Sequence, residues 1–311
     1  MSADERQGKI VKGLGGLYEV RCPRGDGADR FLCRARGSFK KDDGKLMVGD
    51  DVVISDDGSG GMVIDELLPR RNSLIRPPVS NIDRLFIVMA VHRPEPVLET
   101  VDKLTAIAFH NDIVPAVIVT KSDYSSEAAE EYADIYRRCG IDAFSVSSAA
   151  GEGIEELGGY IRTGLAGGGT AAFAGASGVG KSTLMNRLFP RLSLTTSDVS
   201  RKTERGRHTT RHVELFEIGE GSDPGFIADT PGFSLIDFSR FDFFSLGELL
   251  PAFPEFLPYA AKCRYSDCSH VGEGEEDCAV ARAVRDGSIP ESRKKSYEAI
   301  YAALKAKNSF K

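Results

Sequence analysis

The stretch GASGVGKST, at Gly175–Thr183, has the residue types and the spacing of a phosphate-binding loop. Its glycines let backbone N–H groups turn toward phosphate oxygens, and the N-terminus of a following helix adds partial positive charge. The pattern predicts that Lys181 reaches the β- and γ-phosphates and that Ser182 ligates Mg²⁺. The predicted phosphate-binding residues are Gly175, Ala176, Ser177, Gly178, Val179, Gly180, Lys181, Ser182 and Thr183.

A second stretch, TKSD, has the residues needed to read a guanine base. It comprises Thr120, Lys121, Ser122 and Asp123, and it directly follows the apolar run IVPAVIVT. The two oxygens of the Asp123 carboxylate match the adjacent N1–H and 2-amino donors of guanine, whereas adenine presents an acceptor at N1. The alternative is that Ser122 or Asp123 is a helix N-cap. The run VSSAAGEG would complete a base pocket through the backbone near Ser147, Ser148 and Ala149.

The sequence DTPG adds candidate residues for the γ-phosphate and for Mg²⁺. Asp229 is expected to hold Mg²⁺, and the Gly232 N–H to contact the γ-phosphate. The polar stretch before it is predicted to be a switch loop, in which Thr210, or alternatively Thr209, ligates Mg²⁺.

The position after DTPG predicts slow intrinsic turnover. Phe233 stands where Ras-like GTPases have a glutamine that orients the attacking water. His208 is the candidate replacement, since histidine exchanges protons near neutral pH, and the alternative role for His208 is a backbone or RNA contact. The predicted catalytic residues are therefore His208, Lys181 and Thr210.

The order of these motifs is unusual, because the base reader precedes the phosphate loop. A nucleotide site in a parallel sheet is built from loops at the carboxyl ends of the strands, and those loops need only converge in space. Domains whose termini lie close together tolerate circular permutation. We therefore expect a permuted GTPase domain with a single nucleotide site.

Three cysteines and one histidine fall within sixteen residues near the C-terminus. Cys263, Cys268, His270 and Cys278 follow the pattern C-x4-C-x-H-x7-C. Three thiolates and one imidazole form a closed tetrahedral set for Zn²⁺, so the predicted metal is structural. The other three cysteines are expected to be free thiols.

The bulk composition indicates a soluble globular chain. Of its 311 residues 41% are hydrophobic and 28% charged, and the net charge is −6. No apolar run is long enough to span a membrane and no secretory signal begins the chain, so we expect a cytoplasmic protein. Local basic clusters are either solvated surface or contacts to an RNA backbone. The RNA-contact hypothesis falls on Arg34, Arg36, Lys40 and Lys41.

The pattern of apolar and polar residues along the chain predicts three domains. Short alternating runs over residues 1–70 indicate an oligonucleotide-binding (OB) β-barrel, followed by a proline-containing linker. Residues 71–240 alternate strands and helices, as in an α/β P-loop domain with a parallel sheet, and HVELFEI is expected to be its edge strand. Residues 241–311 are predicted to form a helical zinc-binding domain. Its last helix should bury Tyr297, Ile300, Tyr301 and Leu304.

Taken together, the motifs resemble the ribosome-small-subunit-dependent GTPase A (RsgA-type) family of circularly permuted GTPases. The resemblance rests on GGLYEV, CRARGSFKK, NID, TKSD, GASGVGKSTLMN, GRHTT, DTPGF and CRYSDCSH…CAV. It implies the three domains above, GTP with Mg²⁺, one zinc ion, the small ribosomal subunit and its rRNA as partners, and subunit-stimulated hydrolysis in late subunit maturation. Two departures are the extended loop at Val271–Asp277 and Ser148 in place of the usual alanine.

Other functions remain open from the residues alone. The chain would alternatively be an RNA-binding scaffold or chaperone in which nucleotide sets the conformation and turnover is incidental. An ATPase or small-molecule kinase is opposed by Asp123. We expect a monomer.

Overall fold

The computed structural model describes most of the chain, including both predicted nucleotide-binding loops and the cysteine cluster. The described residues are 5–36, 45–75, 77–190, 213–219, 221, 223–229 and 243–308. They form two compact units, of which the first contains residues 1–84, 158–173 and 189–233 and the second residues 85–157, 174–188 and 234–311. In the described part of the chain, no helix has the length and apolarity that a membrane crossing requires.

The first unit contains a closed five-stranded barrel. Its strands are β1 (Arg6–Leu14), β2 (Leu17–Arg24), β3 (Gly27–Ala35), β4 (Asp51–Asp56) and β5 (Met62–Leu67). They pair in the order β1-β2-β3-β5-β4, and β4 returns to β1 to close the ring. Only β3 and β5 are parallel within this barrel. Alternate side chains point inward, so Ile10, Val20, Ile54 and Ile64 are fully buried, and the OB-fold prediction is confirmed.

The segment after the barrel, predicted as a linker, is ordered against it. Two short strands, β6 (Ser73–Leu74) and β7 (Val79–Ser80), pair as a hairpin. The buried Asn81 amide donates to Gly49 O at 3.0 Å, which ties the hairpin to the barrel. The proline content predicted a linker, and it revealed neither this hairpin nor the Asn81 hydrogen bond.

Three further strands belong to the first unit. β13 (Gly225–Asp229) pairs in parallel with β11 (Thr170–Ala174) and antiparallel with β12 (Glu214–Ile218). β12 also pairs antiparallel with β1 of the barrel, with Lys12 opposite Glu214. The prediction of β12 as an edge strand is therefore wrong, because its second partner lies about two hundred residues earlier in the chain.

The second unit has its own strands and the helices that follow them. Its strands are β8 (Arg84–Ala90), β9 (Val114–Thr120) and β10 (Asp142–Val146), with β9 in the middle and parallel to β10. The apolar runs predicted for buried strands are buried in β8 and β9. The helices of this unit's α/β part are α1 (Leu98–His110), α2 (Ser126–Arg137) and α4 (Lys181–Leu188), whereas α3 (Ile154–Gly164) is divided between the two units.

The C-terminal part of the second unit is helical. It contains α5 (Leu257–Ala260), α6 (Ala279–Arg285) and α7 (Glu291–Asn308). Tyr297, Ile300 and Leu304 of α7 are buried as predicted, whereas Tyr301 is half-buried. The Tyr297 ring packs on the rings of Phe253 and Phe256, at centroid distances of 5.2 and 5.0 Å.

Candidate nucleotide and metal sites

The predicted phosphate loop leads from β11 into α4, and its glycines occupy positions that other residues fill poorly. Gly178 and Gly180 have φ angles of +80° and +90°. A Cβ atom on Gly175 would lie 2.2 Å from the carbonyl oxygen of Val88, at the end of β8. The loop therefore needs glycine both for its backbone turn and for its close approach to the strand.

The lysine and the serine of the motif lie in the first turn of α4. The Lys181 ammonium donates a hydrogen bond to Gly175 O at 3.1 Å, so its side chain folds back over the loop. Ser182 is half-buried and Thr183 is exposed. This arrangement suits a cation that neutralises phosphate and a hydroxyl beside it.

The predicted base-reading loop is bonded directly to the phosphate loop. The buried Thr120 hydroxyl donates to Val179 O. The Lys121 ammonium donates to Gly178 O at 2.9 Å and also to Arg93 O. Two motifs separated by more than fifty residues therefore lie side by side, which is the convergence that the permuted order requires.

Asp123 is positioned by the predicted pocket loop VSSAAGEG, which contains Ser147. The Ser147 hydroxyl donates to Asp123 Oδ1 at 2.6 Å and accepts from Ala150 N at 3.0 Å. Asp123 and Ala149 are exposed, while Ser148 is half-buried. The carboxylate is held by one oxygen and faces solvent, as a group that receives a ligand would be.

The alternative role of this loop as a helix N-cap is not what the structure shows. Ser122 and Asp123 lie in a short 3-10 turn, and α2 begins three residues later. The cap is Ser125, whose hydroxyl accepts from Ala128 N at 3.2 Å. The Asp123 carboxylate is therefore not used to start α2.

Several predicted site residues lie outside the described part of the chain. They are Lys40, Lys41, His208, Thr209, Thr210 and Gly232. Asp229 ends β13, and nothing is described of its side chain. Of the predicted RNA contacts, Arg34 and Arg36 are exposed near the end of β3, and Arg36 pairs with Asp65 at 2.6 Å.

The four predicted zinc ligands form one cluster. The ligand atoms of Cys263, Cys268, His270 and Cys278 all lie within 4.8 Å of one another. His270 Nδ1 is 3.7 Å from Cys263 Sγ and 3.6 Å from Cys278 Sγ, and these two sulfurs are 4.0 Å apart. Tetrahedral zinc with Zn–S near 2.3 Å and Zn–N near 2.0–2.1 Å gives S–N of about 3.6 Å and S–S of about 3.8 Å. The cluster therefore has the dimensions of a tetrahedral metal site, and the extended loop before Cys278 does not disturb it.

The surroundings of the cluster also suit a metal ion. Burial lowers the pKa of His270, which favours the neutral imidazole that ligates metals. Burial, followed by hydrogen bonds with neighbouring thiols, raises the pKa of Cys268 to about 12, so its thiolate would form only together with a bound cation. Backbone N–H groups of Ala279 and Ala281 point at Cys263 Sγ and Cys278 Sγ, at 3.3 and 3.4 Å. Such donors stabilise thiolates, and the sequence pattern did not identify them.

Comparison with known proteins agrees with this geometry. The family described as RsgA N-terminal domain matches residues 7–64, and that described as RsgA GTPase matches residues 67–239. Two curated relatives, both named small ribosomal subunit biogenesis GTPase RsgA, align along nearly their whole length. The relative from Caldanaerobacter subterraneus subsp. tengcongensis is 39% identical over 304 residues, covering 97% of this chain and 96% of that protein. The relative from Geobacillus kaustophilus is 36% identical over 303 residues, covering 96% and 97%.

Two solved structures share the fold. YjeQ from Thermotoga maritima has a TM-score of 0.77 and 31% identity, over 96% of this chain and 98% of that one. YloQ, described as a circularly permuted GTPase, has the same TM-score and identity, over 98% and 96%. The fold and the motif order thus define a circularly permuted GTPase. The chain belongs to the RsgA family, and it is a GTP hydrolase.

Proposed function

We propose that this GTPase binds GTP with Mg²⁺ across the loops described above and hydrolyses it during late maturation of the small ribosomal subunit, which stimulates the turnover. The observation that carries the nucleotide site is the direct bonding of Thr120 and Lys121 to the phosphate loop. The ribosomal role draws on the names of the aligned relatives, in which small ribosomal subunit biogenesis is stated.

In this proposal each loop has one task. Asp123 pairs with the guanine edge, and Ser147 fixes the orientation of its carboxylate. Backbone N–H groups of Gly175–Thr183 bind phosphate oxygens, and Lys181 neutralises the charge that grows on the β–γ bridge during hydrolysis. Ser182, Thr210 and Asp229 would hold Mg²⁺, which supplies electrostatic stabilisation of the phosphates. His208 remains the proposed water-orienting group.

The Cys₃His cluster would hold a structural Zn²⁺ ion. With four protein ligands no coordination position stays open for substrate, so the ion would stabilise the fold and take no part in the reaction. It lies between the end of α5 and the start of α6, two short helices that bury little apolar surface of their own.

The barrel would contact rRNA through Arg34, Arg36, Lys40 and Lys41. Contacts between these cationic side chains and phosphates do not depend on the base sequence of the RNA. Because β1 also pairs with β12, point variants test this role better than removal of residues 1–70 does. Arg34→Ala with Arg36→Ala should weaken subunit binding, whereas Arg24→Ala, an exposed arginine on β2, should not.

The decisive experiment is GTP turnover by the full chain with and without purified small subunits. We expect slow turnover alone and a marked increase with subunits, because Phe233 cannot orient water. Equal rates in both conditions would refute the stimulation.

Lys181→Ala separates the enzyme from the scaffold hypothesis. Loss of GTP binding together with loss of function shows that the nucleotide is required, whereas retained function without GTP binding supports a scaffold.

A further inference from the structure

The segment between β8 and α1 lies against the phosphate loop, although no nucleotide-binding motif includes it. It is joined to the base-reading strand by Val91 N, which donates to Thr120 O at 3.0 Å. The Lys121 ammonium bonds both Arg93 O and Gly178 O, so these two carbonyl groups converge on one nitrogen. A Cβ atom on Gly178 would lie 3.7 Å from Cδ of Pro94. The backbone of Arg93 is therefore adjacent to the middle of the phosphate loop.

Arg93 has a backbone conformation that arginine seldom adopts. Its φ angle is +50°, in the left-handed region that disfavours side chains with a Cβ. The Lys121 hydrogen bond on one side and the neighbouring proline on the other hold it there. Unfavourable backbone conformations that are fixed by their surroundings occur often at ligand sites. The side chain thus starts from a fixed point beside the loop.

The Arg93 guanidinium is available to a ligand. The side chain is exposed, and no residue in the described part of the chain gives it a hydrogen bond or an ion pair. The nearby acid Glu95 pairs with His92 instead. The guanidinium is planar, permanently charged and able to donate two parallel hydrogen bonds, which suits it to phosphate oxygens.

We propose that Arg93 binds the phosphate chain of bound GTP, as a second cation beside Lys181. The inference rests on the proposed nucleotide site. The Arg93 guanidinium supplies a positive charge that other GTPases receive from an arginine of their own chain or of a partner. In this chain such a charge would act where the usual glutamine after DTPG is replaced by Phe233.

The test compares Arg93→Ala, Arg93→Lys and wild type in the full chain, with Mg·GTP and Mg·GDP as probes. Alanine meets the same backbone restriction at φ +50° as arginine does, so the substitution removes the guanidinium without relieving the backbone. We expect Arg93→Ala to bind GTP about tenfold more weakly, as for loss of a charge-assisted hydrogen bond, and Arg93→Lys to recover part of the loss. Arg162→Ala, which removes an exposed arginine on α3, is the matched control and should match wild type.

Two further readouts distinguish a ligand contact from a structural role. The thermal midpoint of the nucleotide-free Arg93→Ala chain should equal that of wild type, and the ³¹P signals of bound nucleotide should shift. An equal loss of GTP and GDP affinity places the contact on the α- or β-phosphate, and a loss confined to GTP places it on the γ-phosphate. The proposal would be overturned if Arg93→Ala had the same nucleotide affinities, single-turnover rate and ³¹P signals as a wild-type chain that binds GTP. A wild-type chain that binds neither Mg·GTP nor Mg·GDP would instead refute the nucleotide site itself.

Discussion

We propose that a single side chain, Asp123, sets the base specificity of the nucleotide site. Its carboxylate is exposed, but one oxygen accepts the Ser147 hydroxyl at 2.6 Å, so its orientation does not depend on the ligand. Because the Ser147 hydroxyl already orients the carboxylate, less conformational entropy is lost when guanine binds. Selectivity then follows from which groups of the base donate and which accept.

Asp123→Asn should reverse part of this selectivity. The amide would present N–H groups to the N1–H or 2-amino group of guanine, and loss of hydrogen bonds to a charged group costs on the order of 3 kcal/mol. We expect GTP affinity to fall at least about a hundredfold, by the same conversion. Xanthosine triphosphate, which has a carbonyl in place of the 2-amino group, should bind the variant better than GTP does.

Competition against a fluorescent guanine nucleotide measures this change. Ser148→Ala is the matched control on the neighbouring loop, because Ser148 is expected to act through its backbone only. Retained preference for GTP over the xanthine nucleotide in Asp123→Asn would show that another residue reads the base.

The sequence predicted these residues because their chemistry is local. The glycine spacing and the acid after a buried strand both follow from short-range geometry. The N-cap question could not be resolved in this way, since Ser122, Asp123 and Ser125 are all competent caps and only the start of α2 selects Ser125. Arg93 was not found because its relation to Gly178 depends on Lys121, almost thirty residues later in the chain.

At the scale of helices, a buried charge cluster joins α7 to α1. Arg293 is fully buried and donates to Asp102 of α1 and to Glu255, both at 2.7 Å. Its guanidinium also lies 4.6 Å from the centre of the Phe253 ring. The C-terminal helices therefore pack on the GTPase core through ionic as well as apolar contacts.

Arg293→Met should destabilise this packing by about 3–5 kcal/mol, since it leaves two buried carboxylates without their partner. Urea denaturation of the full chain and hydrogen exchange of the α1 and α7 amides measure the effect. Lys295→Met, on the same helix but in an exposed pair with Glu291, should cost less than about 1 kcal/mol. Similar costs for both variants would contradict a special role for the buried cluster.

Zinc removal should loosen the same C-terminal part. One zinc ion per chain is expected in protein purified without chelator, and Cys268→Ser should lose it, because a closed tetrahedral site needs all four ligands. Elemental analysis measures the ratio, and exchange of the α6 amides measures the loosening. Cys22→Ala removes a buried thiol of the barrel and should keep the zinc. Full zinc content in Cys268→Ser would contradict the four-ligand site.

The elements themselves were predictable to different degrees. Strands buried on both faces and the amphipathic α7 have a periodicity that burial imposes directly. β12 also has a clear alternating pattern, but that pattern does not say which strand pairs with it. Its partner β1 is distant in sequence, so the prediction of an edge strand was wrong for a reason that no local window contains.

At the scale of the chain, β12 links the barrel to the strand that precedes DTPG. β12 pairs with β1 on one side and with β13 on the other. Ion pairs reinforce the barrel side, since Lys12 meets Glu214 at 2.7 Å, and Glu217 pairs with Arg21 at 3.1 Å and with Arg30. The barrel, β12 and β13 are thus joined by hydrogen bonds and ion pairs within one unit.

Glu217→Gln tests whether this link carries the proposed stimulation. The variant removes the Glu217 carboxylate charge from the nearly buried Arg21 and weakens the attachment of the barrel to β12. Because no predicted nucleotide-binding residue changes, basal GTP turnover should equal that of wild type, while turnover with small subunits should fall severalfold. Glu19→Gln is the control, since Glu19 has the same exposed fraction, 28%, and pairs with Arg30 inside the barrel only. If both variants are stimulated like wild type, subunit contact reaches the nucleotide site by a route other than the β1–β12 pairing.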